Sequence, residues 1–170
     1  MNQFVFNSLK RKNGEEISKS IKTLYFDKTP IILCIGSDLV VGDSLGPFIG
    51  TILNEKLKGK AFVYGTLKNP VTAKEVLVVK ETIKKLHPNS KVIVIDAALG
   101  NAEEIGYVKI TNCGIKPGLA VNKDLPLLGD VSIIGVVGDK NDKNTNFSTR
   151  FSLVYSIAND VIEGIEKLVS

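Results

Sequence analysis

Three short runs constrain this chain most, because each is apolar throughout instead of alternating. They are residues 31–35 (Ile-Ile-Leu-Cys-Ile), 61–64 (Ala-Phe-Val-Tyr) and 92–95 (Val-Ile-Val-Ile). A strand with one wet face alternates apolar and polar residues. Continuous apolarity marks strands covered on both faces, as in a parallel sheet. Helical stretches separate the runs. Residues 47–57 open on Pro47, which suits a helix's first turn. Residues 72–86 open on a Thr-x-x-Glu capping-box pattern, Thr72 to Glu75, and break at His87-Pro88-Asn89. Residues 106–111 and 131–137 read as further strands. Residues 148–168 read as a long closing helix with Phe151, Val154, Ala158, Val161 and Ile165 on one face. This β-α-β-α-β alternation predicts a three-layer α/β/α sandwich with a mostly parallel, mixed sheet.

Residues 1–29 precede the first buried run as an N-terminal arm. Ile17, Ile21 and Leu24 recur at helical spacing and predict a helix over 14–26, with Asn13 as its N-cap. That apolar stripe favours packing onto the sheet; a pro-segment and a contact in a homo-oligomer are the alternatives. No repeat or interior linker is visible. The 170 residues therefore read as one α/β domain, an arm at 1–29 and a core at 30–170.

Composition narrows the chemistry by exclusion. One histidine, His87, leaves no His-based triad and no HExxH metal site. Cys34 and Cys113 form no CxxC, which fits a reducing compartment and argues against zinc. The net charge of +4 comes from scattered lysines with only Arg11 and Arg150 among the arginines. Without a clustered basic patch, and with no Trp to stack bases, nucleic acid is not the expected partner. No apolar run approaches the 18 or so residues of a membrane span. Residues 1–12 lack the apolar stretch of a secretory signal. A cytoplasmic protein is expected.

What remains is carboxylate chemistry in the loops after the strands. In open α/β sheets, ligands bind beyond the carboxyl ends of strands, where the connections reverse direction. The loop 36–47 carries Asp43, and Asp96 stands where the 92–95 run ends. If the first run lies between the second and third, both carboxylates face one crevice. Two adjacent carboxylates resist joint ionisation, so one keeps its proton while the other acts as base. Each also has a quieter role available. Asp43 or Ser44 can cap the helix that Pro47 begins, and Asp96 can be satisfied by backbone N–H groups at a strand end. Asp38 is a third carboxylate in the first loop, either a solvent-facing turn residue or, with Asp43 and Asp96, a hard oxygen site for Mg²⁺, Ca²⁺ or Mn²⁺. No nucleotide fingerprint occurs. Gly42 and Gly46 suit a tight turn and close backbone approach instead. Residues 112–122 hold Gly114, Pro117 and Gly118 and read as a lid or peptide-binding rim, or as a plain connection. Cys113 without a histidine partner reads as a small loop hydrophobe, and His87 as structural.

These residues carry a resemblance. Gly42-Asp43-Ser44-Leu45-Gly46-Pro47 resembles the Asp-Ala-Leu-Gly-Pro motif of the endospore germination protease family, and Ile95-Asp96-Ala97-Ala98 resembles its Ile-Asp-Ala motif. Gly114-Ile115-Lys116-Pro117-Gly118, followed by Asn122, resembles its Gly-Ile-x-Pro-Gly loop. The span from about Ile31 onward is most similar to the short YyaC-type sporulation proteins of that kinship, and more distantly to hydrogenase maturation peptidases. The resemblance implies a phosphorylase/hydrolase-like fold and a sporulation-associated peptide-bond hydrolase with Asp43 and Asp96 as catalytic pair. Ser44, Gly114, Lys116, Pro117, Gly118 and Asn122 are then substrate-binding residues. Protein or peptide substrates, small acid-soluble spore proteins among them, are the implied partners; hydrogenase peptidases bind a metal at the corresponding acidic positions together with a histidine, which this chain lacks at a comparable downstream position, so no cofactor or metal is expected. Thr72 stands where relatives often carry His, and the chain is shorter than the germination protease. Both departures suit the rival reading, a non-catalytic peptide- or protein-binding module on the same fold.

Overall fold

The computed structural model describes residues 3–25, 29–116 and 127–170, with residues 146 and 147 described by backbone only. Six strands form one sheet: β1 (Gln3–Asn7), β2 (Ile31–Cys34), β3 (Phe62–Tyr64), β4 (Val92–Gly100), β5 (Tyr107–Thr111) and β6 (Val131–Asp139), in the order β1-β5-β6-β4-β2-β3. β2 pairs in parallel with β3 and with β4, and β4 pairs in parallel with β6. β5 is antiparallel to both β6 and β1, so it alone runs against the other five. The sheet is mixed and mostly parallel, as the apolar runs predict, and β2 lies between the second and third runs.

Helices cover both faces. α1 (Gly14–Leu24), α2 (Leu45–Lys56) and α5 (Phe151–Leu168) lie on one side, where Ile17, Ile49, Leu53, Ile157 and Ile165 pack against Ile32, Ile93 and Ile95. α3 (Val76–Leu86) lies on the other, where Val76 and Ile83 pack with Ile31, Leu33, Val94 and Leu128. Alternation along β4 makes this possible: Ile93, Ile95 and Ala97 join the first cluster, Val92 and Val94 the second. A short helix, α4 (Thr145–Ser148), precedes α5.

Four local expectations change. The arm contributes a strand as well as a helix. Phe4 and Phe6 of β1 pack on the first cluster, while Gln3 and Val5 stay exposed, a half-buried edge pattern that a helix-directed reading passes over. Asn13 precedes α1 but makes no side-chain cap. Its Nδ2 donates instead to the Asp160 carboxylate on α5 at 2.9 Å, deep in the α1–α5 contact. The Thr72–Glu75 pair is made, with the Thr72 N–H and hydroxyl both donating to Glu75, but the α-helix itself starts at Val76, four residues after the expected opening at Thr72. The final helix starts at Phe151, not at 148. Thr149 and Arg150 are extended, and the Thr149 hydroxyl donates to the Thr145 and Val137 carbonyls, which closes α4 before α5 begins.

Candidate functional site

The connections reverse direction at β2. The chain leaves β2 through α2 to β3 on one side, then returns through α3 to β4 on the other. The crevice beyond the carboxyl ends of β2 and β4 is therefore the switch point of the fold. Two segments build it.

The first is the loop after β2. Gly36 carries φ +136°, and a Cβ there would sit 2.1 Å from the Asp43 carbonyl oxygen. A Cβ on Gly46 would sit 2.0 Å from the Ile35 carbonyl. Only glycine lets the loop fold back this tightly over its own strand. The Gly36 N–H donates to Val71 and the Ser37 N–H to the Asp43 carbonyl, which ties the loop at both ends. Asp43 then lies in a single 3-10 turn, Gly42–Ser44, ahead of α2, and this turn packs against β4.

The second is β4 itself. β2 stops at Cys34, opposite Ile95, while β4 continues to Gly100 because β6 accompanies it to Asp139. Asp96 is thus not at a strand end. It is the fifth residue of a nine-residue strand and the first without a β2 neighbour. By alternation it stands on the α3 side, two residues beyond Val94.

The two carboxyls differ in environment. Asp43 is an exposed residue whose carboxyl is tucked in enough for burial to raise its pKa, with the Ser37 N–H pulling the other way. Asp96 is partly buried, and loss of solvent pushes its pKa up to about 8. One hydrogen bond, from the Ala97 N–H at 2.8 Å, opposes that rise, and the Asp43 charge adds to it. The order follows: Asp43 ionises beside a neutral Asp96, and Asp96 ionises only against a charged Asp43. At neutral pH Asp96 is therefore mostly the neutral carboxylic acid. Capping explains neither residue. No side chain caps the 3-10 turn or α2, and a single N–H does not satisfy Asp96.

The other predicted residues fall elsewhere. Ser44 is buried and its hydroxyl donates to the Val41 carbonyl at 2.6 Å, so it pins the turn and does not reach Asp43. Asp38 is exposed, and among the described residues no three His, Cys, Asp or Glu side chains group as a metal site would need. The three-carboxylate metal site is therefore not assembled. Gly114 is buried where a Cβ would meet the Leu128 and Gly129 carbonyls at 2.4 and 2.5 Å. Its glycine serves a two-stranded neck in which Ile115 and Leu128 exchange backbone hydrogen bonds. This neck packs with Val94 on the α3 side of β4. Lys116 is exposed beside the neck. Pro117, Gly118 and Asn122 lie outside the described residues. Cys34 is wholly buried, with its thiol pKa pushed up by burial, and His87 bonds the Tyr64 hydroxyl at 3.0 Å at the far end of α3.

Sequence reasoning also passed over a cavity of about 400 Å³ at the carboxyl end of β6, bounded by Val137, Asp139, Asp142, Arg150 and Leu153. It does not include Asp43 or Asp96. Arg150, one of two arginines among scattered lysines, was the one signal pointing to it.

A family described as "Protein of unknown function (DUF1256)" matches residues 5–164. The chain belongs to this family. The DUF1256 match takes in nearly all of the N-terminal arm, where the motif resemblance began only at Ile31. "Uncharacterized protein YyaC" of Bacillus subtilis strain 168 is 39% identical over 140 residues, covering 81% of this chain and 68% of YyaC. Among solved structures, the [NiFe] hydrogenase maturation protease HycI of Thermococcus kodakarensis KOD1 superposes with a TM-score of 0.58. The match covers 88% of this chain and 98% of HycI at 20% identity. At that identity the likeness speaks for the fold: this DUF1256 chain has the α/β architecture of a hydrogenase maturation protease. Among the described residues no helix is long and apolar enough to cross a membrane.

Proposed function

We propose that this protein is a peptide-bond hydrolase of the germination-protease type, acting on protein substrates in the cytoplasm of the sporulating cell. One observation carries the reading: at the switch-point crevice, loss of solvent lifts the Asp96 pKa to about 8, and the charge of the nearby Asp43 adds to that rise. A protonated Asp96 beside Asp43 is the division of labour acid–base hydrolysis needs. Asp43 accepts a proton from water as its oxygen bonds to the peptide carbonyl carbon. Asp96 gives its proton to the leaving nitrogen as the C–N bond breaks. The Asp43 proton then passes to Asp96 through solvent, restoring the pair. Leu39, 90% exposed in the same loop as Asp43, offers an apolar contact to a peptide side chain.

The test is incubation with small acid-soluble spore proteins, repeated with Asp43→Asn. Cleavage by the wild type and at least a hundredfold loss in the variant is the expected outcome. Equal cleavage by both sinks the assignment. Saturable binding with turnover by neither moves the protein to the peptide-binding reading, which the motif departure at Thr72 favours.

A further inference from the structure

The cavity beyond β6 carries two signs of charge and an apolar wall. Asp142 is engaged: one carboxylate oxygen accepts from the Asn144 N–H at 2.8 Å and the other from the Ser148 hydroxyl at 3.2 Å. Asp139 accepts one bond, from the Asn141 N–H at 2.9 Å. Each carboxylate accepts about four hydrogen bonds, so both keep capacity for a cation's N–H. Arg150 differs. Among the described residues its guanidinium has no ion pair and no side-chain hydrogen bond. It sits at the start of the 18-residue α5, where the Phe151 and Ser152 N–H groups head the helix and the Ser152 hydroxyl joins the lining. Ile105, Val137 and Leu153 supply the apolar wall. The volume falls in the range of small-molecule sites.

A simple anion would meet Arg150 but leave two carboxylates facing it; a simple cation would leave the arginine unmet. We infer that the cavity binds a free apolar α-amino acid. The carboxylate meets Arg150 and the head of α5, the ammonium meets Asp139 and Asp142, and the side chain lies on Ile105, Val137 and Leu153. The site also touches the candidate active site. Val137 and Thr149 line the cavity and flank Gly42, whose added Cβ would meet them at 3.2 and 3.4 Å. Val137 and Thr149 thus stand between the cavity and the turn that carries Asp43.

The experiment is calorimetric titration of the full chain with L-leucine, N-acetyl-L-leucine, L-leucinamide and a short peptide ending in leucine. Leucine binds saturably, one per chain, and each analogue lacking one charge binds roughly tenfold or more weakly. Arg150→Gln weakens leucine binding by a similar factor, while Asp96→Asn leaves it intact, so the outcome does not depend on proteolysis. Undetectable leucine binding overturns the inference. So does equal binding of N-acetyl-leucine or of the peptide, which would make the site one for a bare carboxylate or a chain end. The analogue arms use the unaltered chain and stand even if Arg150→Gln misfolds.

Discussion

At the residue scale, Asp43 and Asp96 are chemically alike and differ only in how much water each loses. If the proposed chemistry holds, kcat/KM is bell-shaped in pH. Its alkaline limb falls near pH 8, where Asp96 loses the proton it must donate, and its acidic limb falls as Asp43 protonates. Initial rates across pH check this; a flat profile through pH 8 would remove Asp96 from the mechanism. Gly36→Ala forces a side chain into a positive-φ position against the Asp43 carbonyl. It should cost about 2 kcal/mol or more in denaturant unfolding, and it should displace Asp43, so activity falls further than stability does. The positions of the two aspartates, one in the loop after β2 and one on β4, were legible from sequence because a loop glycine stands beside one and an apolar strand run beside the other. The Ser44 contact was not, because a hydroxyl can bond its own turn as easily as a neighbour's carboxylate.

At the element scale, β1 and α1 decide what the arm does. Ile17 and Ile21 are fully buried against α5, and Gly164 leaves room for Ile17 where a Cβ would stand 2.4 Å from its Cγ2. A segment built into the packing this way cannot be shed as a pro-segment without losing core. Expression of residues 30–170 should give a chain that aggregates or unfolds without a cooperative transition, because it bares both the α5 face and the β5 edge. Circular dichroism melts and gel filtration check this; a monomeric, cooperatively folded and more active fragment would restore the pro-segment reading. The helix α1 was readable from a clear stripe of Ile17, Ile21 and Leu24. The strand β1 was not, since five residues with one half-buried face give too short a period-two signal to stand out.

At the scale of the whole molecule, Asp96 ties stability to pH. Its folded-state pKa, about 8, lies above the ordinary carboxylate value near 3.8. The folded chain therefore holds a proton that the unfolded chain releases, and between those values stability falls as pH rises. Asp96→Asn removes the penalty. The variant's advantage over the wild type should be small near pH 4 and grow up to about pH 8, to at most on the order of 5 kcal/mol. Urea melts at a series of pH values read it directly; a gap that stays constant with pH would mean Asp96 is not buried as described. The sheet order was legible because three apolar strands and two intervening helices admit few arrangements, although the 61–64 run, read as covered on both faces, is the edge strand β3 with Phe62 half exposed. The cavity was not, because it gathers residues from β6, α4 and α5 that share no motif. One asymmetry in the sheet has a mechanical side. Asp96 is held within the nine-residue β4 by its pairing with β6, whereas Asp43 rides on a loop held at its ends. The spacing between the two carboxyls is thus adjusted from one side only, like a vice with one fixed jaw, and sequence change in the 36–44 loop can retune the pair without disturbing the sheet that anchors it.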